Sequence, residues 1–352
     1  MAPAKQPESA RPTRGFWSRI APALLMMVLP PLFTEWLLGG TRLSTMVGFP
    51  PLMIMEIMVW GGGALMLRAL ARKLGLGWGS LILFGLVIGM AEEFIIIQTS
   101  FAPLVIKLKG VEWARAGGIN YVYALWALAY TSVWVVLMPT LVVEMLFPAR
   151  RHETFLSKTG LAIVAILFPI GAMMAWYGWT HIARVQSFHL SIYNPTHADF
   201  AGALAVIAAL FVWAIKFPPR LSNDAVPPAP ILLAIGGAIW GTLWFGLVLL
   251  AFGIAPHLPA PAMFAAFLVL ILLVLLGMTR WGASSRWTEW HSFAVFCGTL
   301  IGAMLASSAG FREALPMDIA FKAVTNIAAL LLMIPLGRTV LARKAATRSA
   351  AR

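Results

Sequence analysis

The sequence has few charged residues and almost no cysteine. Only 11% of its 352 residues are Asp, Glu, Lys or Arg, whereas 61% are hydrophobic. Soluble domains carry about 25% charged residues, so this composition excludes an ordinary water-soluble protein. The single cysteine, Cys297, lies in an apolar run and excludes an internal disulfide framework and a paired-cysteine metal motif.

Long hydrophobic runs are abundant instead. A bilayer core about 30 Å thick requires roughly 20 apolar residues per helix. Ten runs meet this requirement: 20–39, 51–70, 78–99, 120–146, 160–180, 200–216, 230–254, 261–279, 290–308 and 318–337. The sequence therefore predicts an all-α, polytopic transmembrane helix bundle of ten spans. Its first run contains Glu35 and is predicted to be a retained span, not a cleaved signal peptide.

The net charge of +13 is distributed unevenly across the predicted membrane. If the N-terminus is cytoplasmic, most of the 26 Lys and Arg residues lie in cytoplasmic segments. This asymmetry follows the positive-inside rule and predicts an inner (cytoplasmic) membrane protein with both termini in the cytoplasm. The expected partner of the basic segments is the lipid bilayer, and the sequence indicates no nucleic-acid partner.

Short loops exclude a separate soluble domain. The predicted organisation is a basic tail (1–19), spans 1–6 (20–216), a Pro-rich linker (217–230), spans 7–10 (231–340) and a second basic tail (341–352).

A further hypothesis divides the bundle into two inverted five-helix halves, as in inverted-repeat transporters. Prolines recur at corresponding places, before spans 2 and 7 and within spans 5 and 10. At Pro169 and Pro335 we expect the helices to break.

Three consecutive spans carry carboxylates at a similar depth. With a rise of about 1.5 Å per residue, Glu35, Glu56 and the pair Glu92–Glu93 lie about 6–10 Å below the outer surface. An ionisable group inside a membrane costs about 2.5–3.5 kcal/mol on insertion scales, so it either serves a function or reaches water. The pair is a candidate proton acceptor, cation ligand or general base.

Other residues on the outer side could join these glutamates. Lys322 and Asn326 lie within two turns of the outer end of span 10, and Lys322 either pairs with a glutamate or extends to the surface. Gly85 and Gly89 share the face of Glu92 and predict close packing of another helix there. The aromatic start of span 4 is interpreted as part of the interfacial belt.

His181, at the end of span 5, is the candidate catalytic partner of the glutamates. The histidines of the outer side match no tight ligand spacing, so no metal site is predicted. No nucleotide-binding motif occurs in a suitable context, and no cofactor is predicted.

The run 91–97, with the sequence AEEFIII, resembles the EE helix of the CPBP (Abi) intramembrane proteases. In that family an EExxxR motif pairs with FxxxH and a further His, and the Glu activates water for peptide cleavage. Ile97 stands at the position of the Arg, and Tyr177 with His181 is the nearest counterpart of FxxxH. The resemblance implies a catalytic role for Glu92 or Glu93. The stretch 92–151 is also similar to prokaryotic polytopic membrane proteins without an assigned activity.

Three functions are compatible with the sequence. The first is a transporter or permease for a small molecule or ion, in which Glu92 and Glu93 couple to protons or bind a cation. Glu35 and Glu56 would line its outer vestibule. The plan of ten spans resembles drug/metabolite-type transporters, although architecture does not fix function. The second is an intramembrane enzyme, either a degenerate CPBP-like protease or a lipid-modifying hydrolase. The third is a non-catalytic assembly protein whose glutamates pack the bundle. The sequence leaves the substrate and the oligomeric state open.

Overall fold

The computed structural model describes residues 15–103, 113–219, 225–254 and 258–350. Parts of the predicted tails and linker, at 1–14, 220–224 and 351–352, lie outside the described residues. Within the described part, ten helices are long and apolar enough to cross a membrane, which confirms the all-α polytopic fold. Because the number of spans is even, the start of span 1 and the end of span 10 lie on one side of the bundle. We call this the terminal side, and the opposite side, which carries the loop between spans 1 and 2, the far side.

The first five spans combine α-helical and π-helical segments. Span 1 comprises Phe16–Pro31 and the π-helical Leu32–Leu37, and span 2 comprises Pro51–Glu56, the π-helical Ile57–Gly61 and Gly62–Lys73. Span 3 comprises Trp78–Met90 and the π-helical Ala91–Ile96, and span 4 comprises Tyr121–Thr131, the π-helical Ser132–Leu137 and Met138–Leu146. Span 5 comprises Lys158–Tyr177 and the π-helical Gly178–Ser187. A short helix, Leu43–Gly48, lies between spans 1 and 2. Segments of π-helix are rare and frequently mark functional sites.

The last five spans are more regular. Span 6 is His197–Lys216; span 7 is Pro230–Leu249 followed by the π-helical Leu250–Ile254; span 8 is Ala260–Trp281; span 9 is Glu289–Ser308 with a final turn Ala309–Phe311; span 10 is Pro316–Ala350. The breaks expected at Pro169 and Pro335 are wrong, because the helices of spans 5 and 10 continue through both prolines. Local adjustments in membrane helices accommodate the hydrogen bond that proline removes. The plan of two inverted halves stays a prediction.

Apolar side chains join the spans in two cores that share spans 1 and 4. The first core takes residues from spans 1–6, including Leu65, Phe84 and Val143. The second takes residues from spans 1, 4 and 7–10, including Trp134 and Trp244. Span 6 packs against span 3, and span 9 packs against spans 4, 7 and 10. Spans 2–4 are the most buried of the ten helices.

A buried ionic network fixes spans 2 and 4 to each other on the terminal side. The guanidinium group of Arg68, which is fully buried, lies 2.8 Å from Glu144 Oε1, and that of Arg72 lies 2.7 Å from the same atom. Arg68 also donates to the backbone carbonyls of Arg151 and Glu153. A buried charge requires such a partner, because its desolvation costs several kcal/mol.

A small hairpin closes the described part of the loop between spans 3 and 4. Strand β1, Arg115–Ala116, pairs antiparallel with strand β2, Ile119–Asn120. Gly117 and Gly118 between them have φ of +56° and +77°, which a two-residue turn of this kind requires. The Arg115 guanidinium donates to the carbonyls of Phe101, Ala102 and Gly118, so the hairpin is tied to the end of span 3.

Candidate functional site

Three of the four glutamates grouped by their depth in the sequence, Glu35, Glu56 and Glu92, lie within electrostatic range of one another, and Glu93 follows Glu92 in the chain. The carboxyl group of Glu56 is close enough to interact electrostatically with those of Glu35 and Glu92. Glu92 interacts in the same way with Glu35, and Glu93 with Glu92. We call Glu35, Glu56, Glu92 and Glu93 the carboxylate cluster. Its members come from spans 1, 2 and 3, near the far side.

Hydroxyl groups from neighbouring elements bind three of the four carboxylates. Thr41 Oγ1 donates to Glu35 Oε2 over 2.7 Å, and Thr131 Oγ1 donates to Glu92 Oε2 over 2.8 Å. Ser100 Oγ donates to Glu93 Oε2 over 3.3 Å. Each hydroxyl fixes the direction of its carboxylate while supplying no charge.

The hydrogen bonding of Glu56 differs from that of the other three glutamates. Its side chain is 5% exposed, and its Oε2 atom has no hydrogen-bond partner among the described residues. The Thr41 hydroxyl also reaches the Glu56 carboxyl group, but its donated proton is directed at Glu35. A buried acceptor without a donor costs free energy, so its presence requires an explanation.

The π-helical segments account for the direction of these side chains. Glu35 lies within the segment of span 1, Glu92 and Glu93 within that of span 3, and Glu56 directly before that of span 2. Thr131 directly precedes the segment of span 4. An additional residue in a helical turn rotates the residues around it, which brings polar groups of four helices to one place.

The close packing predicted at Gly85 and Gly89 is confirmed, and span 4 is the helix that packs there. A Cβ atom added at Gly85 would lie 2.7 Å from Ser132 Cα, and one at Gly89 would lie 3.1 Å from Leu128 Cδ2. Because Glu92 shares this face, it points at span 4 and meets Thr131.

Aromatic side chains of span 4 line one side of the carboxylate cluster. We call Tyr123, Trp126 and Tyr130 the aromatic wall. Trp126 and Tyr130 stack with ring centroids 5.0 Å apart, and Tyr123 lies 5.7 Å from Trp126. Both tyrosines interact electrostatically with Glu92. The interpretation of Tyr123 and Trp126 as interfacial belt therefore missed that they face the glutamates.

Lys322 does not join the carboxylate cluster. Its side chain is 3% exposed, and its Nζ atom donates to the backbone carbonyl of Leu37 and, over 3.0 Å, to Ser307 Oγ. Pairing with a glutamate and extension to the surface are therefore both wrong for this residue. Leu37 ends the helix of span 1, where carbonyl groups lack helical partners and attract a cation.

The other polar residues of span 10 also hold that helix in place. Asp318 accepts hydrogen bonds from the backbone N–H and the hydroxyl of Ser44, over 2.8 and 2.9 Å. Asn326 Nδ2 donates to Ser308 Oγ over 3.4 Å, and its Oδ1 atom has no partner among the described residues. The start of span 10 is thus bound to the loop after span 1 and to span 9.

The described polar contact of His181 is to its neighbour Thr180 and not to a glutamate of the cluster. Its Nδ1 atom lies 2.6 Å from Thr180 Oγ1, and its ring stacks on Tyr177 with centroids 5.1 Å apart. Tyr177 is 54% exposed, so this group lies at the outer surface of span 5. Among the described residues, no group of three or more His, Cys, Asp and Glu could hold a metal ion.

The carboxylate cluster also lies apart from every basic side chain that forms an ion pair in the described structure. The described ion pairs involve Glu144, Glu153 and Glu289 as their acids. The arrangement can therefore accept a positive charge from outside the protein, either a proton or a cation. Comparisons with protein-family models, curated proteins and solved structures found no match, so the site is characterised by its geometry alone.

Proposed function

We propose that the protein is a membrane transporter in which the carboxylate cluster binds a cation or protons inside a cavity. By the charge asymmetry of the sequence, this cavity opens to the outside of the cell. The observation that carries the proposal is that Glu35, Glu56 and Glu92, from three spans, lie within electrostatic range of one another and form no ion pair with a described basic residue.

The glutamates on the two sides of the membrane have different partners, and this difference supports the proposal. On the terminal side Glu144 is neutralised by Arg68 and Arg72, as expected for an acid with a structural role. On the far side the described hydrogen bonds to the carboxylates of Glu35, Glu92 and Glu93 come from hydroxyl groups, which carry no charge. Uncompensated acids within a membrane bundle are typical of substrate and ion pathways.

A cavity beside the cluster is supported by the exposure of its members. Glu35, Glu92, Tyr123 and Tyr130 are deeply enclosed by the surrounding helices. Each nevertheless retains solvent-accessible surface. Accessible surface at such depth is expected where residues line a hollow, the usual form of a small-molecule site.

The described hydrogen bond of His181, which is made to Thr180 and not to a carboxylate of the cluster, supports transport over hydrolysis. A general base must reach its catalytic partner directly or through one water. The polar contact of His181 is to Thr180, and its ring lies with Tyr177 at the surface of span 5. The CPBP resemblance and its proteolytic activity stay predictions without support from this contact.

Proton movement in proteoliposomes that contain a pH-sensitive dye tests the proposal. In the wild type, we expect inorganic and organic cations added outside to change the internal pH. The double variant Glu92→Gln, Glu93→Gln should lose this response, because it removes two carboxyls that exchange protons. Glu313→Gln is the matched control, since Glu313 is exposed on the far side. An unchanged response and pH dependence in the double variant would refute the proposal.

A further inference from the structure

We infer that the ligand of this site is an organic cation, such as an ammonium or phosphonium ion with apolar substituents. The inference rests on the proposed function and names its substrate class. It depends on two observations: Glu56 Oε2 has no hydrogen-bond partner among the described residues, and Tyr130 of the aromatic wall lies within electrostatic range of Glu56.

Glu56 is the member of the cluster with a buried carboxyl oxygen that lacks a donor among the described residues. Its Oε2 atom has no hydrogen-bond partner among the described residues, whereas the other three carboxylates each accept from a hydroxyl. It also interacts with Glu35 and Glu92 across the centre of the cluster. A positive group beside Glu56 would satisfy the buried acceptor and reduce the mutual repulsion of the three acids.

The aromatic wall supplies the second half of the binding chemistry. The negative faces of Trp and Tyr rings attract cations within about 6 Å, and Trp does so most strongly. Trp126 and Tyr130 form a stacked surface next to Glu92, and Tyr123 extends it. The Nε1 atom of Trp126 has no partner among the described residues, so a further polar group is available there.

Further aromatic rings connect the wall with the far surface. Phe252 of span 7 lies 6.0 Å from Tyr123 and 5.3 Å from Trp113, measured between ring centroids. Trp113 belongs to the described part of the loop between spans 3 and 4. A cation with apolar substituents can move along such rings while it loses water, which a small hydrated ion cannot do as readily.

The same residues fit an inorganic ion poorly. Calcium requires six to eight oxygen ligands, and magnesium requires near-octahedral oxygen coordination. Among the described residues, no set of three or more acidic, His or Cys side chains is close enough to hold a metal ion. Rings on one side and carboxylates on the other match an ion that is charged at its centre and apolar at its surface.

Protons should compete with this ligand, because both neutralise the same carboxylates. Thr41 and Thr131 supply hydroxyls and Tyr123 and Tyr130 supply phenols, and Lys322 is held by Leu37 and Ser307 on the neighbouring span. The side chains named here therefore contribute no competing positive charge. Binding should weaken on acidification and should release protons into a weakly buffered solution.

Binding of radiolabelled tetraphenylphosphonium to the purified full chain in nanodiscs tests the inference. We expect saturable binding in the wild type that weakens at acidic pH. Glu56→Gln should weaken it at least about tenfold, and Trp126→Ala should weaken it severalfold, whereas Trp126→Phe should keep most of it. Glu313→Gln and Trp213→Ala are the matched controls, since both side chains are exposed.

A second measurement does not depend on the folding of a variant. Dicyclohexylcarbodiimide reacts with carboxyl groups in apolar surroundings, and mass spectrometry locates the modified glutamate. In the wild type, tetraphenylphosphonium should slow the modification of Glu56 and leave that of Glu313 unchanged. Equal rates with and without the probe at Glu56 would overturn the inference.

The outcomes separate this inference from the proposed function. If the wild type does not bind tetraphenylphosphonium, or if Glu56→Gln binds it equally well, the organic-cation inference is overturned. Proton exchange with sodium or potassium that depends on Glu92 and Glu93 would then leave the proposed function standing. If the probe binds at Glu56 but Glu92→Gln, Glu93→Gln leaves proton movement unchanged, the site is confirmed and the transport mechanism is refuted.

Discussion

Spans 2–4 and spans 7–9 differ in how deeply they are buried and in the residues through which they pack. In spans 2, 3 and 4 the buried shares of the most apolar windows are 67, 72 and 61%, and these helices enclose most of the carboxylate cluster. In spans 7 and 8 the share is 17% for each. Spans 7 and 9 meet through small residues, with Gly298 and Gly302 placed directly against the backbone carbonyls of Ala234 and Ala238. The comparison indicates a polar functional interior on one side and a small-residue scaffold on the other.

The backbone follows the same division. Spans 1–4 each contain a π-helical segment close to a cluster residue. Spans 8 and 9 contain none among their described residues, and span 7 has one only at its far end, Leu250–Ile254, away from its contact with span 9 at Ala234 and Ala238. Regular helices allow the close approach of backbones that small residues at spacings of four make favourable. Irregular helices re-aim side chains, which a binding site requires. The predictions below test whether stability and function divide in this way.

The largest effect on stability is expected at the ionic network that Arg68 and Arg72 form with Glu144. Arg68→Met leaves Glu144 with Arg72 alone and removes donors from two backbone carbonyls. Breaking a buried ion pair costs about 3–5 kcal/mol, so the free energy of unfolding should fall by this amount. Denaturant unfolding in detergent, followed by circular dichroism, measures it. Arg280→Met at an exposed position should change little, and an equal loss in both variants would contradict the network's role.

A smaller loss of stability is expected when the contact between spans 7 and 9 is disturbed. The added Cβ atom of Gly302→Ala would meet the carbonyl oxygen of Ala238, so spans 7 and 9 must separate. Overpacking of this kind costs about 1–3 kcal/mol. The control is Gly236→Ala, because no atom lies within 4 Å of a Cβ there. Thermal unfolding should show a lower midpoint for Gly302→Ala and an unchanged midpoint for Gly236→Ala. Equal shifts of the midpoint in both variants would argue against the backbone contact between spans 7 and 9.

The third substitution, Glu56→Met, should stabilise the protein instead of destabilising it. Glu56→Met removes a buried acceptor without a described partner and relieves repulsion from Glu35 and Glu92. Stability should rise by about 1 kcal/mol, because the desolvation penalty of the carboxyl group disappears. Probe binding should be lost in the same variant. Reduced stability would instead support the alternative in which the glutamates only pack the bundle.

The smallest effect is expected at the half-exposed ion pair that links spans 9 and 10. Arg343 Nε lies 2.9 Å from Glu289 Oε2, and both side chains are about one-third exposed. Pairs of this kind contribute about 0–1 kcal/mol. Arg343 also donates to the backbone carbonyl of Met145, so the pair is tested by removing its acid. Glu289→Gln should shift the unfolding midpoint only slightly and leave probe binding unchanged. A loss as large as that of Arg68→Met would show that exposure does not separate the two pairs.

Composition and run length were sufficient to predict the fold, but only part of the site. The ten spans follow from apolar runs, since the bilayer fixes their length. The depth of Glu35, Glu56 and Glu92 follows from helical rise, because they lie close to the ends of regular runs. These features depend on local sequence alone.

The remaining site residues depend on tertiary contacts. Nothing in the sequence distinguishes Thr131 or Thr41 from other hydroxyl residues of the spans, because their role arises from a helix packed beside them. The direction of Tyr123 and Trp126 depends on how span 4 rotates around its π-helical segment. Lys322 was grouped with the glutamates by depth, but the carbonyl of Leu37 lies nearer. Depth along a helix is therefore predictable here, whereas direction around it is not.

Cysteine accessibility tests the central claim most directly, because the chain has a single cysteine to remove. In a Cys297→Ala background, Tyr130→Cys places a thiol beside the cluster, and Val135→Cys places one in the apolar core of the same helix. The account predicts that a membrane-impermeant cationic methanethiosulfonate modifies the first position, at least about tenfold faster than its anionic counterpart, and not the second. If position 130 reacts as slowly as position 135, or equally with both reagents, no acidic cavity exists and the account is wrong.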